Sequence, residues 1–317
     1  MLDTKLSENA YVTLCDIKYL SRALTLINSI RNTGNNSDIV LLALDRDSEK
    51  ALQKLNLENL TVINIEKLET KFKELILAKS DRSKLEYFFC LTPFVIKYAM
   101  DMTSKKTISY IDSDIWFAQN PAHLLIDKSK YDIGIVKHNF PEHLLFMEKN
   151  GIYNVGFLYF QKNNNSIEVL DWWASSCIKS TSIESYKNIY ADQKYLEGFF
   201  DFQAKVEICS LDGHNSAPWN CNNLQRNSNI FMTQNGNNLI YFHFSGLRIF
   251  KFFYMMGYNS YSWRPNKVIR TNLYANYVKE IRKWDKVISG RHMSDHRKLG
   301  KRQVLRAIFF RDIGLLL

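Results

Sequence analysis

Apolar runs and helically spaced apolar residues alternate through the first third of the chain. Tyr11–Leu14 is a short apolar run, Tyr19–Ile30 carries apolar residues at helical spacing and stops ahead of Gly34, and Ile39–Leu44 is apolar throughout. Ser48–Leu55, Thr61–Ile65 and Lys67–Leu77 continue the alternation as helix, strand and helix. Strands that are apolar on both faces belong inside a parallel sheet, and helical segments between them serve as crossovers, so the pattern predicts βαβαβα with helices on the sheet faces. Leu85–Met100 predicts a further helix interrupted at Pro93, feeding the apolar run from Thr107 to Asp112. Beyond it the chain predicts strands at Asp132–Lys137, Val155–Gln161, Val206–Cys209 and Leu239–Phe244, with helices at Ile167–Ser180 and Asp192–Phe199. No linker, repeat or low-complexity stretch divides residues 1–278, which read as one α/β domain.

The sharpest chemical signal is where the Thr107 run ends, in Tyr110-Ile111-Asp112-Ser113-Asp114. Residues i and i+2 of a strand share a face, so a break there lets two carboxylates converge on one hard divalent cation, Mg²⁺ or Mn²⁺. Asp45 and Asp47 form a look-alike pair after Ile39–Leu44, but Ser48-Glu49-Lys50 reads as the cap and first turn of a helix. Ligands in open parallel sheets sit beyond the carboxyl ends of strands, where Asp112, Asp114 and Thr13-Leu14-Cys15-Asp16 all lie.

Composition narrows the class. Of 317 residues 46% are apolar and 14% aromatic, enough for a large core. The five cysteines are scattered, with no CxxC, which argues against a disulfide framework and structural zinc. The net charge of +10 is concentrated at the end: residues 279–317 hold 11 Lys/Arg against 4 Asp/Glu, a surplus of +7, which leaves +3 for residues 1–278. A balanced body is unlike a nucleic-acid binder, so neither DNA nor RNA is expected as a partner. The tail from Arg297 to Arg311 mixes cations with Val304, Leu305, Ile308, Phe309 and Phe310 and predicts a basic amphipathic helix on an anionic membrane surface. Its removal from about residue 285 is expected to spare the body. No apolar run reaches the roughly 18–20 residues of a membrane span and no leader pattern opens the chain, so a cytoplasmic protein, peripheral on the inner face of the cell membrane, is expected.

Taken in order, seven segments resemble the GT-A-fold glycosyltransferases of the family 8 type, the group containing glycogenin and the bacterial lipopolysaccharide galactosyl- and glucosyltransferases. They are Ala10–Asp16 with Tyr19–Leu24, Arg82-Ser83-Lys84, Tyr110–Asp114, Asn154-Val155-Gly156, Ala191-Asp192-Gln193, Trp219-Asn220 and His243-Phe244-Ser245-Gly246. The resemblance implies a Rossmann-like mixed sheet flanked by helices, and a metal held by Asp112, Asp114 and His243. It implies Mn²⁺ or Mg²⁺ with a UDP-sugar donor, the histidine nitrogen tilting the ion toward Mn²⁺.

Thr13, Asp16 and Tyr19 would then meet the nucleoside, Arg82 and Lys84 the diphosphate or sugar, and Ser113, Asn154, Gly156 and Gly246 the rest of the donor. Asp192 or Gln193 would stand by the anomeric carbon, as a nucleophile or as electrostatic support. The family's diphosphate lysine is replaced by Leu247-Arg248-Ile249-Phe250-Lys251, which leaves Arg248 or Lys251 for that role. His138, His143 and His214 have no such context and read as structural or surface residues. The implied activity is transfer of a hexosyl group, with retention, from a UDP-sugar to a glycan or lipid-linked glycan hydroxyl, in assembly of a bacterial surface polysaccharide or lipopolysaccharide. The alternatives are a metal-dependent phosphohydrolase or nucleotidyltransferase and a non-catalytic sugar-nucleotide binder; GxxxxGK[ST] and HExxH are both absent.

Overall fold

A computed structural model describes residues 8–125, 130–184, 189–290, 293–295 and 299–316. The alternation is realised as β1 (Asn9–Cys15), α1 (Leu20–Asn32), β2 (Asp38–Ala43), α2 (Arg46–Leu55) and β3 (Leu60–Asn64). Then come α3 (Ile65–Lys71), α4 (Glu74–Ser80), α5 (Lys84–Met102), β4 (Thr107–Ile111), β5 (Ile115–Phe117), β6 (Ile133–Lys137), β7 (Tyr153–Gln161), α6 (Asn164–Lys179) and β8 (Val206–Cys209). Seven strands form one sheet in the order β3-β2-β1-β4-β7-β6-β8. The first four are mutually parallel, β7 runs antiparallel to both β4 and β6, and β8 lies parallel to β6. The structure is thus a mixed, parallel-dominated α/β sheet with helices on both faces.

Side-chain alternation divides the core. Ala10 and Val12 face the α5 and α6 layer with Leu91, Phe94 and Trp173, while Tyr11 and Cys15 face α1 with Leu24 and Ile27. Four features differ from the expected ones. Asp45 itself caps α2, its side chain accepting from the Ser48 N–H, so Ser48 lies inside the helix. The segment expected as one helix over Lys67–Leu77 breaks at Phe72, whose ring packs on Phe94. Pro93 sits within α5 without ending it, because Leu91, Phe94, Val95 and Ile96 around it are all buried in the core. The helix expected at Asp192–Phe199 is a 3-10 helix over Lys194–Asp201.

Two short strands, β9 (Gln225–Asn227) and β10 (Ile230–Met232), form a hairpin, and β11 (Tyr241–His243) pairs antiparallel with β5. Next come β12 (Arg248–Ile249), β13 (Phe253–Met255), α7 (Ala275–Ser289), α8 (Lys301–Phe309) and β14 (Ile313–Leu315), the strands forming a sheet in the order β12-β13-β14. The boundary expected between residues 278 and 279 falls inside α7. That helix buries Tyr277, Val278 and Ile281, and its Asp285 accepts from the Ser21 hydroxyl of α1 at 2.5 Å. Asp312, fully buried, accepts from the Tyr258 N–H at 2.8 Å, and β14 completes the small sheet. Residues 279–316 are therefore interleaved with the body, and cutting at about 285 would remove a strand and a buried polar contact along with α8.

Candidate metal and donor site

The β4 ladder runs one rung past the strand, the Asp112 N–H donating to the Gly156 carbonyl at 2.9 Å. The Asp112 carbonyl then accepts from the Ile115 N–H at 3.1 Å, a turn that carries the chain out of the large sheet into β5. On β11, paired with β5, His243 stands opposite Ile115, and the Phe244 N–H donates to the Asp114 carbonyl at 2.9 Å. Backbone pairing alone thus brings a histidine some 130 residues downstream onto the two carboxylates. His243 Nε2 lies 3.1 Å from Asp114 Oδ1 and 3.8 Å from Asp112 Oδ2. One ligand atom from each of the three lies within 4.8 Å of the other two. The Asp112 and Asp114 side chains keep 32% and 17% exposure against 7% for His243, so the carboxylates are the more accessible groups and the imidazole the more buried one.

The charges of the three groups are interdependent. Burial pushes Asp112 up, His243 opposing and Asp114 adding to the rise. Asp114 is held low: burial acts against this, but the charge and hydrogen bond of His243, and then the Arg22 charge, outweigh it. For His243 burial disfavours the cation, yet Asp114 and Asp112 raise its pKa overall. Two partly buried carboxylates so placed call for positive charge between them. Two oxygen donors and an imidazole nitrogen fit Mn²⁺ or Mg²⁺ chemically.

Glycine at 156 is a steric requirement of this geometry. A Cβ there would stand 2.8 Å from His243 Nδ1 and 2.5 Å from Asn154 Oδ1. Asn154 accepts from the Gly156 N–H at 2.9 Å, and its amide meets His138 Nε2 at 3.2 Å. His138, expected as a structural or surface residue, is buried beside these groups; burial above all, with His243 nearby, lowers its pKa to about 4, so it is neutral at pH 7. The Trp219 indole donates to the His138 carbonyl at 2.8 Å and packs against His243 at 5.3 Å between ring centroids, while Asn220 donates to the same carbonyl at 2.7 Å.

The loop after β1 lies alongside. Asp16 Oδ1 accepts from the N–H groups of Lys18 and Tyr19 at 3.1 and 3.2 Å, and Asp16 Oδ2 pairs with Lys84 Nζ at 3.2 Å. Asp45, the look-alike carboxylate, accepts from the Ile17 N–H at 3.0 Å as well as capping α2, so its role is to tie this loop down. Tyr19 is exposed, with the Arg22 guanidinium 4.5 Å above its ring. Thr13 is buried on β1, and Ser113 is buried between the two carboxylates. Gly246 turns with φ +78°, and Gly257 packs against it so tightly that a Cβ on Gly257 would meet the Ser245 carbonyl at 2.9 Å.

Asp192 is 4% exposed, and its carbonyl accepts from the Trp173 indole at 3.0 Å. Burial pushes its carboxyl up to about 7; a Thr92 hydrogen bond opposes this and the Asp112 charge adds to it. The Gln193 amide donates to the Asn150 carbonyl at 2.8 Å.

Three expected cations point elsewhere. Arg82 donates to the Cys177 carbonyl at 2.6 Å, to the Ile178 carbonyl and to the Thr181 hydroxyl, filling acceptors at the end of α6. Arg248 pairs with Asp295 at 2.8 Å, and Lys251 is exposed over the Phe252 ring. Arg248 is thus engaged by a carboxylate and Lys251 by an aromatic face within the chain. Sequence reading had passed over Arg22, whose charge reaches Asp114. Its signal is the i, i+3 spacing from Tyr19 across the start of α1.

No protein-family model matches the chain. Two Bacillus subtilis (strain 168) proteins are similar in sequence. The uncharacterized protein YfnF is 25% identical over 251 residues, 76% of this chain and 82% of that one, and the uncharacterized protein YfnD 23% identical over 283 residues, 86% and 89%. Similar solved structures include glycosyltransferases and a 4-diphosphocytidyl-2C-methyl-D-erythritol synthase. The galactosyltransferase LgtC, in complex with donor and acceptor sugar analogs, gives a TM-score of 0.48 at 12% identity, covering 94% of this chain and 99% of that one. Mouse xyloside xylosyltransferase 1 gives 0.44 at 12% identity, covering 66% and 87%. Glycosyltransferase GlyE of Streptococcus pneumoniae TIGR4 gives 0.43 at 17%, covering 66% and 46%. With likeness at this level, the functional reading rests on the chain's own residues.

Proposed function

We propose that the chain is a metal-dependent GT-A-type glycosyltransferase that moves a hexosyl group, with retention, from a UDP-sugar to a glycan hydroxyl in assembly of a bacterial surface polysaccharide. The observation that carries this reading is the convergence of Asp112, Asp114 and His243 at the carboxyl end of β4, beside the loop held by Asp16, Asp45 and Lys84. Asp112, Asp114 and His243 would hold Mn²⁺ or Mg²⁺, which when bound supplies Lewis-acid stabilisation to a leaving diphosphate.

The remaining work falls to side chains and backbone. Tyr19 presents an aromatic face and Asp16 an acceptor to the nucleoside. Lys84, the one of the paired cations Arg82 and Lys84 that faces this loop, adds positive charge for the diphosphate. Gly156 and Gly246 keep the backbone close to the sugar, and Asp192 and Gln193, both already anchored, stand ready on its other side.

The test is release of UDP from UDP-glucose, UDP-galactose and their N-acetyl forms, with Mn²⁺, with Mg²⁺ and with chelator. UDP release that needs the ion and is abolished in Asp112→Ala is expected. Wild-type rates in Asp112→Ala with Mn²⁺ supplied would remove the metal site, and release of UMP with a sugar phosphate would favour the phosphohydrolase or nucleotidyltransferase reading.

A further inference from the structure

Helix α8 is amphipathic in the reverse sense for a surface helix. Only Ala307 is buried, seated on Phe250 and Met255. Leu305, Ile308 and Phe309, the i, i+3, i+4 stripe, are 67%, 58% and 62% exposed. At roughly 100° per residue, Ala307 lies about 200° round from Leu305, so the apolar stripe points almost directly away from the body. Lys301 and Arg302, four and three residues before Leu305, border the same stripe and are exposed. Leu315 on the adjoining β14 is 73% exposed.

The charge around this face is of one sign. Residues 299–316 carry Lys301, Arg302, Arg306 and Arg311 against Asp312 alone, which is fully buried and turned to Tyr258. Arg264, from outside the tail, stacks over Phe309 at 4.7 Å. Arg306 donates to the Asn259 carbonyl and the Ser262 hydroxyl, both at 2.8 Å, which fixes α8 to the 258–261 turn. Tyr261 of that turn packs 6.2 Å from Trp219, the residue against His243.

We propose that the exposed face of α8, Leu305, Ile308 and Phe309 rimmed by Lys301, Arg302 and Arg264, is a membrane-surface site that inserts shallowly into anionic lipid. Three large apolar side chains held outward, inside a rim of cations with no exposed carboxylate in 299–316, match the acyl boundary and the headgroups of such a surface. Because α8 is bound to the body through Arg306 and Ala307, the bilayer would lie at a fixed side of the metal cluster. The site is independent of the sugar-transfer reading.

The experiment is co-sedimentation of the full chain with phosphatidylglycerol-containing vesicles and with pure phosphatidylcholine vesicles. Binding to the anionic vesicles alone, weakened at about 0.5 M salt, is expected. Leu305→Ser, Ile308→Ser and Phe309→Ser combined should reduce the bound fraction by at least about tenfold while leaving the far-UV spectrum and the thermal melt unchanged. Lys301→Glu with Arg302→Glu should do the same without touching the apolar stripe. Wild-type protein left in the supernatant, salt-insensitive binding, or either variant binding like wild type would overturn the proposal. So would a concentration-dependent dimer that the serine variant abolishes, since a second copy of the chain would then be covering the face.

Discussion

Replacing Asp312 with asparagine should change how the protein's stability depends on pH. The Asp312 carboxyl is fully buried, and burial raises its pKa from the ordinary 3.8 to about 7, although the backbone N–H groups of Tyr258, Asn259, Gly257 and Met256 pull it down. A raised carboxyl pKa means the folded chain holds this proton when the unfolded chain has released it. Stability from Asp312 is therefore greatest below the unfolded value and falls as pH rises toward 7. Three pKa units at about 1.36 kcal/mol each amount to about 4 kcal/mol over the whole window, of which about 2.7 kcal/mol falls between pH 5 and pH 7. Asparagine keeps an acceptor for the Tyr258 N–H and does not ionise. The Tm of Asp312→Asn relative to wild type should thus rise by about 5 °C between pH 5 and pH 8, at roughly 2 °C per kcal/mol in a chain of this size. Paired melts at pH 5, 6, 7 and 8 read the difference, from which other titrating groups such as Asp192 largely cancel. A Tm difference that stays constant across the series, or falls with pH, would refute the reasoning.

Three further substitutions probe the site. Gly156→Ala puts a methyl 2.8 Å from His243 Nδ1, so it should lower stability by about 1–3 kcal/mol and abolish the thermal stabilisation that Mn²⁺ gives the wild type, read by melts with and without the ion. Arg82→Ala and Lys84→Ala should separate. The first, which leaves the Cys177 and Ile178 carbonyls without their donor, should lose about 1–3 kcal/mol in denaturant melts yet keep its turnover per folded molecule, whereas the second should keep its stability and raise KM for the sugar nucleotide severalfold.

The strands of the first third were legible because runs such as Ile39–Leu44, apolar throughout, suit a strand covered by helices on both faces. The Asp112, Asp114 and His243 cluster was legible through motif order, although pattern alone did not separate it from Asp45 and Asp47; the N-cap on α2 and the tether to Ile17 make that separation in three dimensions. The partners that Arg82, Arg248 and Lys251 take within the chain were not legible, for a common reason. A guanidinium or ammonium is long enough to reach several acceptors, and its partner here is a helix end, Asp295 or an aromatic face that no local spacing announces. The tail's basic and apolar content was visible, but which apolar residues would pack and which would face outward depended on β13, which lies some 50 residues earlier in the chain. His138 was missed because its partners, Asn154 and Trp219, come from separate segments.

The pairings that assemble the site also set when it can form. Asp112 and Asp114 are made early in synthesis, but they wait for β11 to bring His243, and the Gly257–Tyr258 turn behind Gly246 waits in turn for Asp312. Closing such long loops is slow compared with forming the parallel strands before them. A chain still emerging from the ribosome would hold Asp112 and Asp114 at the carboxyl end of β4 with no histidine yet beside them. The strands that carry the two carboxylates are thus synthesised well before the strand that brings His243, so the three-residue cluster is completed late.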